Sequence, residues 1–177
     1  MLVSVAAAGV APWDALIREG RSKVSPQPPL TLGSDLAGVV EALGTEVSEF
    51  KVGDEVYGVT NPQFCGAQAE YAVASAGMIA LKPPSLNYLE AASAPVIAVT
   101  AWQMLFGYAQ AGTGDTVMII GAAGNVGAYA VQMAVNAGMR VVAVGRAGDT
   151  EMLRKLGAGS AEMLKFSFAR EPQSWAW

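Results

Sequence analysis

The sequence has 177 residues and no histidine, and Cys65 is its single cysteine. Those two gaps remove several chemistries at once. No disulfide can form within the chain, which excludes a small secreted fold held by bridges. Four Cys/His ligands for a structural zinc ion are not available, and neither is the imidazole of a triad or a proton relay. General acid–base work would fall to Asp, Glu, Lys, Tyr or a bound water. Charge is scarce too: Asp, Glu, Lys and Arg make up 15 %, against about 25 % in an average soluble domain. With 53 % hydrophobic residues the chain does not read as disordered, because disordered chains are charge-rich and apolar-poor. A net charge of −4 lacks the basic excess with which a nucleic-acid surface displaces phosphate counterions. No nucleic-acid partner is expected.

Two uncharged stretches, Ala91–Gly114 and Thr116–Met139, are long enough to span a bilayer by length alone. Composition argues against it. Ser93, Pro95, Thr100, Gln103 and Gln110 interrupt the first, and Asn125, Gln132, Asn136 and four glycines interrupt the second. Met1–Ala11 is apolar and ends in small residues, but it lacks the basic start of a signal peptide and reads as a buried strand. No membrane is expected, and the cytoplasm is the default location.

Glycine, at 20 residues, is abundant and punctuates the chain. Leu2–Ala8 is a short apolar run with β-branched residues, read as a strand. Pro12 sits where a short helix can begin, and Ser25–Leu30 is an extended, proline-rich segment. Gly33–Glu41, Leu43–Val47 and Phe50–Gly58 are short pieces separated by Gly, Asp and Thr, the pattern of a tightly turned β-structure. Gly53–Asp54 is the clearest of these turns, since glycine reaches positive φ and the Asp side chain bonds nearby backbone. Ala67–Ala74 reads as another strand, and Tyr88–Gly107 carries helical spacing interrupted near Pro95.

Beyond Asp115 the pattern changes. Thr116–Ile120 predicts a strand, Ala128–Ala137 an amphipathic helix closed by Gly138, Arg140–Val144 a second strand and Asp149–Leu156 a second helix stopped by Gly157. Strand, glycine turn, helix and strand make a βαβ unit, which implies a parallel sheet. The turn is Gly121-Ala122-Ala123-Gly124-Asn125-Val126-Gly127. Gly124 and Gly127 have the spacing of the last pair in G-x-G-x-x-G, with alanine at 122 in place of the first glycine of that motif. Side chains no larger than alanine let backbone N–H groups approach a pyrophosphate at a helix N-terminus. A tight turn without a ligand is the alternative, and the flanking strands and helix favour the dinucleotide. The second strand runs into Gly145-Arg146, with no acid until Asp149. Arg146 is either an ordinary solvated cation or the partner of a 2′-phosphate, which selects NADP.

The order of these motifs resembles the medium-chain dehydrogenase/reductase superfamily, and within it the zinc-free quinone oxidoreductase-like branch. The resemblance runs from about Leu2 to Ala158. Ala8-Gly9-Val10-x-Pro12-x-Asp14, Gly33-x-Asp35-x-Ala37-Gly38-Val39-Val40, Phe50-x-x-Gly53-Asp54-x-Val56-x-Gly58 and Gly66-Ala67-x-Ala69-Glu70-Tyr71 carry it. Ala91-Ala92-x-x-Pro95, Thr100-Ala101 and Gly121–Gly127 complete the series. It implies an α/β protein: a GroES-like β-rich catalytic domain over 1–87 followed by a partial Rossmann, parallel doubly wound NADP-binding domain over 88–165. It also implies NADPH-dependent hydride transfer to a small-molecule acceptor, a quinone, an enone or a related carbonyl compound, and a homodimer is common in similar proteins.

Zinc-containing relatives hold a catalytic metal with a Cys and a His. The matching neighbourhoods here, Gly9–Asp14 and Gly33-Ser34-Asp35, offer neither, and Ser34 stands where those relatives place the histidine. No metal is expected. Residue by residue, the resemblance places Gly121, Gly124, Asn125, Val126 and Gly127 at the pyrophosphate, Thr100 on the nicotinamide side and Arg146 at the 2′-phosphate. Quinone reductases often carry Asn after Gly-Val and Tyr shortly after the Asp, where this chain has Ala11 and Leu16. Trp13, Asn61 and Phe64 are left as lining for an apolar acceptor pocket or as plain packing. Cys65 reads as an inert small residue, with a reactive thiol as the alternative, and Asp35, Asp54 and Glu70 as turn-forming or hydrogen-bonded carboxylates, with catalytic acids as the alternative. No catalytic residue is named.

Compared with the family the chain looks short at both ends, with an atypical tail over 166–177. A parallel sheet cut in half would expose apolar faces. Three readings follow: an NADP-dependent oxidoreductase; a non-catalytic product retaining at most partial nucleotide binding or a dimer-forming role; and, distantly, a two-span membrane protein.

Overall fold

The computed structural model describes residues 1–159, so the expected tail over 166–177 lies outside the described residues. The chain divides into two compact units, Met1–Val99 and a second beginning at Thr100.

The first unit is an antiparallel sheet. Its strands are β1 (Leu2–Ala8), β2 (Asp35–Ala42), β3 (Glu55–Val59), β4 (Tyr71–Val73) and β5 (Ile79–Leu81), in the order β4-β1-β2-β3-β5. Pairing is antiparallel throughout, with β1 irregular at Leu2/Val3 and Val5/Ala7. The central strand β2 is buried on both faces, which explains its nearly unbroken apolar run. Leu36 and Val40 join Val3, Val56, Ala72 and Ile79 in one core, whereas Ala37 faces Ala91 and Ala92 of helix α2 (Tyr88–Ala92). Gly38 is required by the close approach of β1: a Cβ there would lie 2.1 Å from the Ser4 carbonyl oxygen. Gly53 takes φ +91°, and Asp54 Oδ2 accepts from the Lys51 amide at 2.9 Å, the turn chemistry expected of that pair.

The strand expected over Ala67–Ala74 is shorter. Only Tyr71–Val73 pairs regularly, because Ala67 and Gln68 give their amides to the Gly33 and Leu32 carbonyls instead. Helix α1 (Pro12–Arg18) starts with Pro12 in its first turn, and Asp14 reaches back to accept from the Ala11 amide.

In the second unit, helix α3 (Pro95–Trp102), which crosses the boundary, continues as a π-helical segment over Gln103–Tyr108. Then β6 (Thr116–Ile120) and β7 (Arg140–Val144) pair in parallel, with helix α4 (Asn125–Asn136) between them in the chain. Small residues on α4, Ala130 and Ala134, let it lie close over Val141 and Ala143 of β7. The helix begins three residues earlier than expected and ends on Gly138 at φ +77°, whose amide bonds the Val135 carbonyl while the Met139 amide bonds that of Ala134. Helix α5 (Thr150–Lys155) ends the same way at Gly157. The other face of β6 is open, with Met118 59 % and Ile120 78 % exposed. Among the described residues no helix is long and apolar enough to cross a membrane.

One polar cluster secures the segment after β5. The Lys82 ammonium is buried; it donates to the Leu86 carbonyl at 2.7 Å and the Pro83 carbonyl at 3.3 Å and pairs with Glu55 at 3.2 Å. The Tyr88 hydroxyl donates to Glu55 at 2.5 Å, which holds the Glu55 carboxyl below and the Tyr88 phenol above their usual ranges. Lys82→Met should keep the aliphatic packing and leave the Leu86 carbonyl without its donor. We expect a loss of about 1–3 kcal/mol in denaturant unfolding, seen as a lower midpoint with an unchanged slope.

Candidate functional site

Residues at the C-terminal ends of β6 and β7 meet through Val144. Ile120 and Val144 are register partners, and the Val144 carbonyl accepts from both the Gly121 and the Ala122 amides at 3.0 Å. The glycine turn and Arg146 therefore lie at the same end of the parallel pair, the end at which open α/β sheets bind ligands.

The turn depends on two absent side chains. Gly121 takes φ +75°, which bends the chain off β6. Gly127 sits so close to the turn that a Cβ would fall 2.2 Å from the Gly121 carbonyl oxygen and 2.7 Å from the Ala122 Cα. Gly124, with φ −75° and ψ 167°, precedes the first turn of α4 and supplies no side-chain cap, and no acid stands in that turn. The amides of Asn125, Val126 and Gly127 thus begin a twelve-residue helix with neither intrahelical acceptors nor a competing carboxylate. Gly121, Gly124 and Asn125 are exposed. This is a cradle that fits a pyrophosphate: backbone donors, the positive end of a helix dipole, and no Cβ in the way.

Arg146 is exposed, and its backbone is held rigidly. Its amide donates to Asp149 Oδ2 at 2.9 Å, and its carbonyl accepts from the Asp149 amide at 2.9 Å. Asp149, the nearest acid after β7, is thereby engaged with backbone. Thr100 is half-buried on α3, away in sequence from this strand-end cluster, and its assignment to the nicotinamide side rests on the resemblance.

The first unit holds a second polar constellation whose connections were not legible from the motifs. The Trp13 indole N–H donates to Ser34 Oγ at 3.2 Å, and Ser34 donates to Asp35 Oδ2 at 2.5 Å. Asp35 Oδ1 accepts from the Val96 amide at 2.8 Å, at the start of α3. Asp35 is buried, and that desolvation raises its carboxyl pKa above the usual carboxylate range against the lowering effect of those bonds, with the Asp14 carboxylate adding to the rise. Asp14 is buried as well and bonds the Ala11 and Gly33 amides. The signal for this network was Ser-Asp directly after Gly33, but two adjacent polar residues do not reveal which strand buries them.

Trp13 and Phe64 also meet, edge to face, at 6.5 Å. Asn61 does not join them as a free polar group: its amide donates to the Cys65 carbonyl, and its oxygen accepts from the Gln63 amide. Cys65 is a free, half-buried thiol near the Asn61 oxygen. Among the described residues no cluster of three or more Cys, Asp or Glu side chains is arranged to hold a metal ion.

Comparison with known proteins agrees with this architecture. Residues 1–84 match the alcohol dehydrogenase GroES-like domain. The chain is 36 % identical over 172 residues to a 2-methylene-furan-3-one reductase of Solanum lycopersicum, covering 91 % of this chain and 44 % of that one. It is 37 % identical over 176 residues to a mitochondrial NAD(P)H oxidoreductase of Homo sapiens, covering 89 % and 44 %. The solved quinone oxidoreductase of Coxiella burnetii superposes with a TM-score of 0.81 at 35 % identity, covering 90 % of this chain and 51 % of that one. The chain thus spans about half the length of the relatives it matches.

Two outcomes test the local physics. Gly127→Ala should destabilise the second unit by about 1–3 kcal/mol in thermal or denaturant unfolding, because turn and helix must separate to admit the methyl group. For Asp35, the folded-state pKa is raised above the unfolded value of 3.8. Between those two values the native state binds more protons than the unfolded state, so this residue's contribution to stability falls as pH rises. Relative to Asp35→Asn, the wild type should lose stability as pH rises through that window and then level off; a difference that grows in the other direction contradicts the assignment.

Proposed function

The chain belongs to the medium-chain dehydrogenase/reductase superfamily, with a GroES-like domain in its first half, and from that premise we propose an NADPH-dependent oxidoreductase that works without zinc on a quinone, enone or related carbonyl acceptor. The observation that carries the reading is the uncapped first turn of α4 at the same sheet end as Arg146. In this reading the amides of Asn125, Val126 and Gly127 bind the pyrophosphate, and the Arg146 guanidinium pairs with the adenosine 2′-phosphate. Thr100 borders the nicotinamide side. When bound, NADPH would supply a hydride, and reduction of a quinone to the hydroquinone would need one further proton. The protein's own contribution is positioning and exclusion of water around that transfer.

Working without zinc fits the donor set. The chain has no histidine, and the Ser34 hydroxyl at the matching position is already engaged by Trp13 and Asp35. Cytoplasmic location and a homodimer complete the proposal. The alternative is a non-catalytic protein retaining at most adenosine-phosphate binding or a dimer-forming role.

Titration of the purified chain with NADPH, followed by nucleotide fluorescence, separates the two. We expect saturable binding that is tighter for NADPH than for NADH. Arg146→Ala should weaken NADPH about tenfold and leave NADH unchanged, the size of one charge-assisted contact. Folded protein that binds neither nucleotide favours the second reading.

A further inference from the structure

We propose that Asp149 is a positioning residue for the nucleotide: it holds the Arg146 backbone beyond the end of β7 and, by spending its own carboxylate there, leaves the arginine free to read a 2′-phosphate. This rests on the oxidoreductase reading and assigns that site's choice between NADPH and NADH to a second side chain.

Arg146 stands just beyond β7, with extended φ −80° and ψ 160°. Past the last pairing of a strand, a residue has no ladder to fix its backbone. Asp149 supplies what the ladder does not. Its Oδ2 accepts from the Arg146 amide at 2.9 Å, and its own amide donates to the Arg146 carbonyl at 2.9 Å. Two bonds running in opposite directions restrain the arginine's Cα from both sides. The closure is tight: a Cβ on Gly145 would lie 3.4 Å from Asp149 Oδ2 and 3.1 Å from Cδ1 of the buried Leu153. Gly145 also joins this closure to Val144, whose carbonyl accepts from the Gly121 and Ala122 amides of the glycine turn.

A carboxylate at this strand end has two other uses, and both work against NADPH. Facing the ligand, it can accept from ribose hydroxyls and repel a phosphate. Facing Arg146, it can neutralise the guanidinium. With Oδ2 on the Arg146 amide, the Asp149 carboxylate is instead held back against its own loop. Among the described residues the ion pairs are Arg21–Glu19, Lys82–Glu55 and Lys155–Glu151, and the Arg146 guanidinium is in none of them. Its residue is exposed. The end of β7 therefore offers solvent a cation on a fixed backbone, which gains a charge-assisted contact from a 2′-phosphate and nothing comparable from a bare 2′-hydroxyl. An arginine whose backbone could turn would lose ordering entropy on each binding event, and that loss falls on the NADPH complex alone.

Fluorescence titration of Asp149 variants with NADPH and with NADH tests the proposal without turnover. Asp149→Ala should weaken NADPH about fivefold, the worth of one lost cap, and leave NADH unchanged. Asp149→Asn should bind NADPH at least as tightly as the wild type, because its amide oxygen still accepts from Arg146 and a negative charge near the phosphate is gone. In an Arg146→Ala background, Asp149→Ala should change NADPH affinity no further, since the aspartate acts through that arginine. A residue needed only for the fold of the loop would weaken both nucleotides, with or without Arg146. Wild-type NADPH affinity in a folded Asp149→Ala protein, equal weakening of NADH, the same loss in Asp149→Asn, or an added loss in the double variant each overturns the proposal. Should Asp149→Ala fail to fold, Asp149→Glu, whose longer side chain carries the carboxylate past the amide, decides by the same criterion. A wild type that prefers NADPH, with that preference unmoved by Asp149→Ala, overturns this proposal alone. A folded wild type that binds neither nucleotide overturns the oxidoreductase reading and this proposal with it.

Discussion

A buried carboxyl group needs donors, and at Asp35 they come from segments far apart in the chain. Its side chain accepts from Ser34 and Val96, and its carbonyl accepts from the Gly9 amide. Those bonds join the end of β1, the start of β2 and the start of α3. The approach at Gly9 is close enough that a Cβ there would lie 2.9 Å from the Asp35 Cβ and 3.0 Å from the Ala92 carbonyl oxygen. Losing the Ser34 or the Val96 donor would leave the buried carboxyl group with an unmet acceptor, which is costlier than losing the contact itself. Through Ser34 the same carboxyl group reaches Trp13, so the orientation of that indole is tied to the buried Asp35.

The second unit answers a different constraint, one of space. Its turn brings backbone to backbone with no room for side chains at Gly127, and the small residues of α4 continue that closeness down to Ala134. Close packing leaves the amides at the start of α4 pointing outward without acceptors. In the proposed reading those amides are the donors that an anion would meet at this end.

Much of this was legible beforehand. The βαβ order, the bounds of β6 and β7 and the glycine closures of α4 and α5 follow from β-branched runs and from glycines at positions of positive φ, which are local properties of the chain. The Gly53–Asp54 turn was legible for the same reason. Pairing was not: Ala67–Ala74 reads as one strand, yet the Ala67 and Gln68 amides are taken by the Gly33 and Leu32 carbonyls, a choice made by a neighbour more than thirty residues earlier in the chain. The start of α4 at Asn125, ahead of its amphipathic stretch, follows from the turn geometry more than from residue preference.

The candidate site divides along the same line. Sequence alone determined the absence of histidine, the glycine spacing, the position of Arg146 after a strand and the family that these motifs resemble, because each is a matter of residue type and order. Only the tertiary structure decided that Asp35 is buried, that Ser34 links it to Trp13, that Phe64 meets that indole and that Asn61 is spent within its own loop. Those facts depend on which segments meet across the sheet, and burial and hydrogen-bond partnership are properties of that meeting.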